Sequence, residues 1–168
     1  MTDPITRTIE MFVLLLLSGS IEFILTRKYP YVGKRFSTGN LIVFTPLFGV
    51  LVQPVLLPSW GLSSPPAWLV VAGFVLWALG VVGYTLAKLE VGSHAVEAVV
   101  PEEGYVSTGI YRYLRHPMYV SFALVIAGIS AIGASIFSLV AVTTATLVYW
   151  LKAREEDRLR MVHENAGD

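Results

Sequence analysis

The segment at residues 109–119, with the sequence GIYRYLRHPMY, concentrates side chains that could bind ions and aromatic ligands. It sets two arginines, a histidine, a proline and three tyrosines directly before a long apolar run. Arginine and histidine can pair with a carboxylate, and such charge-assisted hydrogen bonds are strong where water is partly excluded. Tyrosine offers an aromatic face to a cation. The segment therefore indicates polar chemistry held at the surface of a membrane.

A second polar segment, residues 152–168, follows that apolar run and includes the acidic pair Glu155 and Glu156. We expect it to lie on the same side of the membrane as the polar loop at residues 90–117, so that a site between the two is plausible. The alternative is that this charged segment is simply a solvated helix face, stabilised by pairs three or four residues apart. Composition alone favours that alternative.

The composition of the chain indicates an integral membrane protein. Of its 168 residues, 55% are hydrophobic and only 14% are charged, whereas charged residues make up roughly a quarter of an ordinary soluble domain. The formal net charge of zero gives no reason to propose a nucleic-acid partner. The absence of cysteine excludes disulfides and thiolate metal ligands, and we assign no metal ligand. We expect a single domain over residues 1–168.

Apolar runs along the chain predict an all-α polytopic bundle of five transmembrane helices. The stretch at residues 118–151 would be roughly 50 Å long as one helix, well beyond a hydrocarbon core of about 30 Å. We therefore expect it to fold back near residues 132–135 as a helical hairpin, with small residues in its first half, Gly128 among them, allowing close approach. The predicted spans are 9–26, 41–57, 67–89, 118–132 and 136–151.

The distribution of lysine and arginine predicts the orientation, because these residues favour short cytoplasmic loops. Five spans with the N-terminus outside put the loop at residues 90–117 and the tail at 152–168 on the cytoplasmic side. Arg7 is then the one basic residue outside. A four-span arrangement would move the last four basic residues across the membrane and remove the asymmetry. The sequence thus favours five crossings with a cytoplasmic C-terminus.

Three elements in the C-terminal 60 residues carry a family resemblance. Gly109 and Tyr111 form a Gly-x-Tyr, an Arg-His-Pro-x-Tyr follows at residues 115–119, and Glu155–Glu156 open the polar segment after the hairpin. In this order the elements resemble the isoprenylcysteine carboxyl methyltransferase family, which is related to the phospholipid methyltransferases. The first three spans support the resemblance only by their number.

The resemblance implies S-adenosylmethionine as the cofactor and assigns roles to individual residues. Catalytic roles fall on Arg154, to steer a substrate carboxylate, and on Glu156. Interfacial anchoring remains an alternative for His116 and Tyr119, and ordinary helix pairing for the glutamates. Lys152 could also be the basic residue that precedes the acidic pair. The residues expected to bind the cofactor are Tyr111, Arg115, His116, Pro117, Tyr119 and Glu155.

The expected function is therefore methyl transfer by an integral membrane enzyme to a lipid-like or prenylated substrate that enters sideways from the bilayer. Fixing the two reactants in line and excluding water would lower the barrier to attack on a sulfonium methyl group. Two alternatives stay open: a sterol-type membrane reductase that uses NADPH, and a non-catalytic bundle. Neither the substrate nor the oligomeric state can be read from the sequence.

Overall fold

The structure, a computed structural model, confirms the all-α class. It describes residues 4–26, 38–57, 62, 65–91 and 108–166, and every regular element within them is helical. Residues 92–107 of the predicted polar loop lie outside the described residues. The elements are α1 (Pro4–Thr26), α2 (Thr38–Leu56), α3 (Ala67–Val91), a short 3₁₀ helix (Gly109–Arg112), α4 (Pro117–Gly133) and α5 (Ile136–Ala166).

Each predicted span overlaps one of the five α-helices, but α1 begins five residues earlier than predicted and α5 extends well past the predicted end of the last span. It continues without a break from Ile136 through the charged segment to Ala166. Because the charged segment belongs to the same helix as the apolar run, the packing of the apolar part also fixes the direction of the charged side chains. Glu156 is therefore oriented by contacts made several turns earlier.

The predicted hairpin between α4 and α5 is confirmed, and Ala134 makes the turn. Its φ of 46° is left-handed, and its N–H donates to the Ser130 carbonyl, which closes the last turn of α4. Ser135 follows, and its N–H donates to the Ser138 hydroxyl at 3.0 Å. Backbone groups left without helical partners at the two helix ends are satisfied in this way.

Gly128 brings α4 against α3, which makes the most extensive interhelical contact in the described bundle. A Cβ at Gly128 would lie 2.5 Å from the backbone nitrogen of Trp77 and 2.6 Å from the carbonyl oxygen of Gly73, so only glycine fits. The sequence-based expectation that Gly128 serves the α4–α5 hairpin is thus wrong. The residue allows close packing, but its partner helix precedes it in the chain.

The described helices pack around a core formed by α1, α2, α4 and α5, in which Met11, Val50 and Ile129 are fully buried. Large apolar side chains also cover the outer surface: Trp68 and Leu139 are 69% and 72% exposed. An outer surface of this kind is typical of a protein surrounded by lipid rather than water.

Two of the described helices are long and apolar enough to cross a membrane, Ala67–Val91 and Ile136–Arg158. Pro117–Gly133 and Thr45–Leu56 are apolar but shorter. The count of five crossings is therefore not confirmed and stays a prediction.

Candidate functional site

The site lies at the end of the bundle where α4 begins and the polar part of α5 runs past it. Pro117 occupies the first turn of α4 and is buried, as expected for a residue that lacks an N–H and has a φ suited to a helix start. The carbonyl of His116 accepts a hydrogen bond from Val120 at 3.2 Å. His116 thus directly precedes the first turn of α4, and the role of Pro117 in cofactor binding stays a prediction.

His116 joins α4 to α5 through both ring nitrogens. Nδ1 lies 3.1 Å from Oε2 of Glu156, and Nε2 lies 3.2 Å from Oδ1 of Asp157. A carboxylate oxygen can only accept, so each of these contacts needs the facing ring nitrogen as its donor. One histidine side chain thus bridges two neighbouring carboxylates of α5. The three side chains are between 19% and 33% exposed, so the pairs lie at the edge of the bundle.

Tyr119 engages the other oxygen of the Glu156 carboxylate. Its hydroxyl donates to Oε1, while its ring lies nearly parallel to the rings of His116 and Tyr149, with centroids 6.0 Å and 5.6 Å away. Tyr149 precedes Glu156 by seven residues, about two helical turns, so both project from one face of α5. We call His116, Tyr119, Glu156 and Asp157 the His116 cluster.

Arg115 approaches the Asp157 carboxylate from the solvent side. Its guanidinium lies 3.6 Å from Oδ1 of Asp157, but the side chain is 70% exposed. An exposed ion pair of this length contributes little to stability. Arg115 is consequently available to a ligand at small cost.

Tyr111, in the 3₁₀ helix, is half-buried beside the His116 cluster. Burial raises its pKa to about 12, and the negative charges of Glu156 and Glu90 add to the effect. Both causes oppose formation of the phenolate. The Tyr111 hydroxyl therefore remains a hydrogen-bond donor throughout the physiological pH range.

Glu90, in the last turn of α3, holds the start of the 3₁₀ helix. The Thr108 hydroxyl donates to Oε1 of Glu90 at 2.6 Å. Gly109 follows with a left-handed φ of 52°, and a Cβ there would lie 2.5 Å from Cδ of Glu90. The glycine of the Gly-x-Tyr element is thus explained by its backbone conformation and by the carboxylate packed against it.

Arg154 and Glu155 lie apart from the contacts made by His116. Arg154 is exposed, and its guanidinium lies over the Trp150 ring, 4.5 Å from the centroid. Two residues along a helix correspond to a rotation of about 200°, so Arg154 and Glu156 project from opposite faces of α5. Glu155 is also exposed. The roles assigned to Arg154 and Glu155 stay predictions.

The structure adds three residues that sequence reasoning did not place at the site: Asp157, Tyr149 and Glu90. Asp157 could have been expected from the sequence, because it directly follows Glu156 and the second ring nitrogen of a histidine can contact a second carboxylate. Tyr149 could have been found from its seven-residue spacing to Glu156. Glu90 gave no signal, since its contact with Thr108 depends on how α3 and the 3₁₀ helix meet.

Comparison with known proteins gives one family match. A family model described as phospholipid methyltransferase matches residues 67–166, more than half of the chain. The matched interval runs from the first residue of α3 to the last residue of α5 and contains the whole His116 cluster. No curated protein and no solved structure matches the chain. The resemblance carried by residues 109–119 and the acidic pair is confirmed by this match.

Proposed function

The chain belongs to the phospholipid methyltransferase family, and on this premise we propose that it transfers a methyl group from S-adenosylmethionine to a lipid-like or prenylated substrate at the membrane surface. The observation that carries the proposal is the His116 cluster, which joins α4 to α5 at one end of an apolar bundle. Family membership supports a methyltransferase, and with two helices able to cross a membrane it indicates membrane association.

The residues at the site fit the chemistry of this methyl donor. The donor carries ammonium and sulfonium cations, a carboxylate, a ribose diol and a flat adenine. Glu156 and Asp157 supply carboxylates for cations and hydroxyls, Arg115 and His116 can pair with the donor carboxylate, and Tyr111 presents a protonated phenol. When bound, the donor supplies an electrophilic methyl group on a sulfonium. Glu155 belongs to the proposed set through the family resemblance alone.

The protein side chains contribute mainly by orienting the reactants and excluding water. His116 is 19% exposed and is held by two carboxylates, so its position is fixed before any ligand binds. Tyr119 fixes Glu156 from the other side. A carboxylate nucleophile on the substrate needs no base. An amine or thiol nucleophile must lose a proton, and His116 or Glu156 is the candidate to accept it.

Arg154 is proposed to act on the substrate rather than on the donor. It lies over Trp150, where the apolar part of α5 gives way to its charged part. Tryptophan is enriched at the interface between membrane and water, and an exposed arginine beside it can attract an anionic group on an amphipathic substrate. This supports a substrate that arrives laterally from the bilayer, with its polar end near the site.

The proposed orientation puts the His116 cluster on the cytoplasmic side, together with the C-terminus. Arg7, the one basic residue predicted outside, lies at the other end of the bundle, where it contacts Leu62 close to the α4–α5 turn. The bias of lysine and arginine toward the end that carries the cluster supports this orientation. Five crossings, with the N-terminus outside, remain part of the proposal.

Calorimetric titration of the detergent-purified protein with S-adenosylmethionine and, separately, with NADPH tests the function. We expect binding of S-adenosylmethionine alone, and its loss in the double variant His116→Ala with Glu156→Ala. Glu10→Gln is the matched control, because it removes a carboxylate from α1, far along the chain from the site. Binding of NADPH would favour a reductase. Unchanged affinity for S-adenosylmethionine in the double variant would remove the site assignment.

A further inference from the structure

Glu90 links two elements of the matched region that are separated in sequence. It lies in the last turn of α3, and the Thr108 hydroxyl donates to its carboxylate at 2.6 Å across 18 residues of chain. A hydrogen bond to an ionised carboxylate is shorter and stronger than one between neutral groups. The contact is solvent-exposed and joins the last turn of α3 to Thr108, the residue that precedes the 3₁₀ helix.

Gly109 also shapes the junction between α3 and the 3₁₀ helix. Its left-handed φ of 52° turns the chain directly after Thr108, and its missing side chain leaves room for the Glu90 carboxylate, whose Cδ would lie 2.5 Å from a Cβ. The carboxylate thus packs against the backbone of the turn as well as accepting a hydrogen bond from it. Two contacts at adjacent residues define how the 3₁₀ helix is placed against α3.

Tyr111 is the residue that this placement brings to the site. It follows Gly109 by two residues in the one-turn 3₁₀ helix, where its N–H donates to the Thr108 carbonyl at 3.0 Å. Burial is the main cause that raises the pKa of Tyr111, and the nearby charges of Glu156 and Glu90 add to the shift. A shift of Thr108 would therefore move Tyr111 relative to Glu156.

We propose that Glu90 is a positioning residue of the methyl-donor site, which holds the segment from Thr108 to Tyr111 so that Tyr111 stays beside Glu156. This inference rests on the proposed function, because it assigns Tyr111 to the donor site. Glu90 itself acts through Tyr111 rather than on the donor. The alternative is a purely structural role, in which Glu90 only joins α3 to the following segment. The experiment must distinguish this role from the positioning of Tyr111.

A double-mutant cycle measured as affinity for S-adenosylmethionine makes this separation. The variants are Glu90→Ala, Tyr111→Phe and the two combined, with thermal melting used to confirm that each is folded. We expect each single change to weaken binding by about tenfold, as for the loss of one hydrogen bond to a charged group. If Glu90 acts through Tyr111, the double variant binds no more weakly than Tyr111→Phe alone. Losses that multiply would overturn the proposal.

Glu90→Gln serves as the conservative rescue. Its side-chain oxygen can still accept from Thr108 while the negative charge is gone. We expect donor affinity closer to wild type than in Glu90→Ala, because the segment remains held. Affinity as low as in Glu90→Ala would show that the charge, and not the placement of Tyr111, is what binding requires, which would also overturn the proposal.

Ionisation of Tyr111 gives a readout that does not depend on the methyl donor. The ultraviolet titration of each protein is compared with the same protein carrying Tyr111→Phe, so that the difference reports Tyr111 alone. We expect Glu90→Gln to lower the Tyr111 pKa below its value of about 12, because one nearby negative charge is removed, and Glu10→Gln to leave it unchanged. An unchanged pKa in Glu90→Gln would show that Glu90 is not beside Tyr111 and would contradict the proposal.

The two proposals fail in different ways. If the wild-type protein does not bind S-adenosylmethionine, the proposed function falls, and the titration still decides whether Glu90 and Tyr111 are coupled. If the wild type binds the donor but the cycle is additive and the Tyr111 pKa does not respond to Glu90→Gln, the function stands and the positioning role of Glu90 is rejected.

Discussion

The two ends of the bundle both carry polar contacts, but they use different partners. At the end with the α4–α5 turn, Arg7 is only 5% exposed and donates to the Leu62 carbonyl at 2.8 Å, and the Leu62 N–H donates to the Ala134 carbonyl at 2.9 Å. At the other end, the His116 cluster is built from contacts between side chains, and its histidine and carboxylates are 19% to 33% exposed.

The difference suits the first group to a structural role and the second to the proposed donor site. Arg7 is almost fully buried, so giving up its backbone partner would cost a hydrogen bond to a buried charged group. Carboxylates and a histidine at a partly exposed edge can exchange one partner for a ligand at modest cost, because their groups are not fully desolvated. Loss of the first cluster should therefore reduce stability, and loss of the second should reduce activity.

The largest expected effect comes from Glu156→Gln, which keeps the shape of the side chain and removes its charge. We expect kcat/KM for methyl transfer to fall by about 100-fold, because charge-assisted contacts to His116 and Tyr119 are weakened together. Glu155→Gln, the same change at the exposed neighbour, should lower kcat/KM by less than about tenfold. Methyl-transfer kinetics of the two variants decide this, and equal losses would show that the structure does not distinguish the members of the acidic pair.

At the opposite end, Arg7→Met should lower the free energy of unfolding by about 1–3 kcal/mol, because the Leu62 carbonyl loses a donor from a buried side chain. Methyl transfer per folded molecule should stay at the wild-type level. Thermal melting in detergent, paired with an activity assay on the folded fraction, measures both. A variant that melts normally but has lost activity would reverse the proposed division between the two ends.

A smaller effect is expected from alkaline pH through Tyr111. Its pKa is raised from 10.0 to about 12 in the folded protein, so the folded state holds the proton more tightly than the unfolded state does. The resulting stability is fully present below pH 10.0 and is lost as the pH rises through about 12. Melting temperatures of the wild type should therefore fall more steeply between these values than those of Tyr111→Phe. Parallel curves would place Tyr111 in an exposed environment.

The smallest expected change is Ala134→Gly in the α4–α5 turn. A left-handed alanine is strained by about 1–2 kcal/mol, and the greater flexibility of glycine in the unfolded chain offsets part of the gain. We expect stability to rise by no more than about 1 kcal/mol, with activity unchanged. The matched control, Ala127→Gly within α4, should instead lower stability by about 0.5–1 kcal/mol. Melting temperatures compare the two.

Much of the fold could be predicted because length and hydropathy constrain it strongly. An apolar run of 34 residues from Met118 to Leu151 is too long for one crossing, and the break expected at residues 132–135 is where Ala134 makes the turn. The joining of His116 to the acidic pair also followed from topology, since a hairpin returns the end of α5 to the start of α4. The exact partners did not follow, because they depend on the rotation of α5 about its axis.

The sequence by itself determined that this is an apolar helical bundle with a hairpin and with His116 and Glu156 at one end, because apolar length and hairpin return leave few alternatives. Only the tertiary structure decided that Asp157 takes the second nitrogen of His116, that Gly128 packs on α3, and that Glu90 holds the turn before Tyr111. The physical reason is that hydropathy fixes where helices begin and end along the chain. Their rotation and closest approach are set by side-chain packing between segments that are distant in sequence.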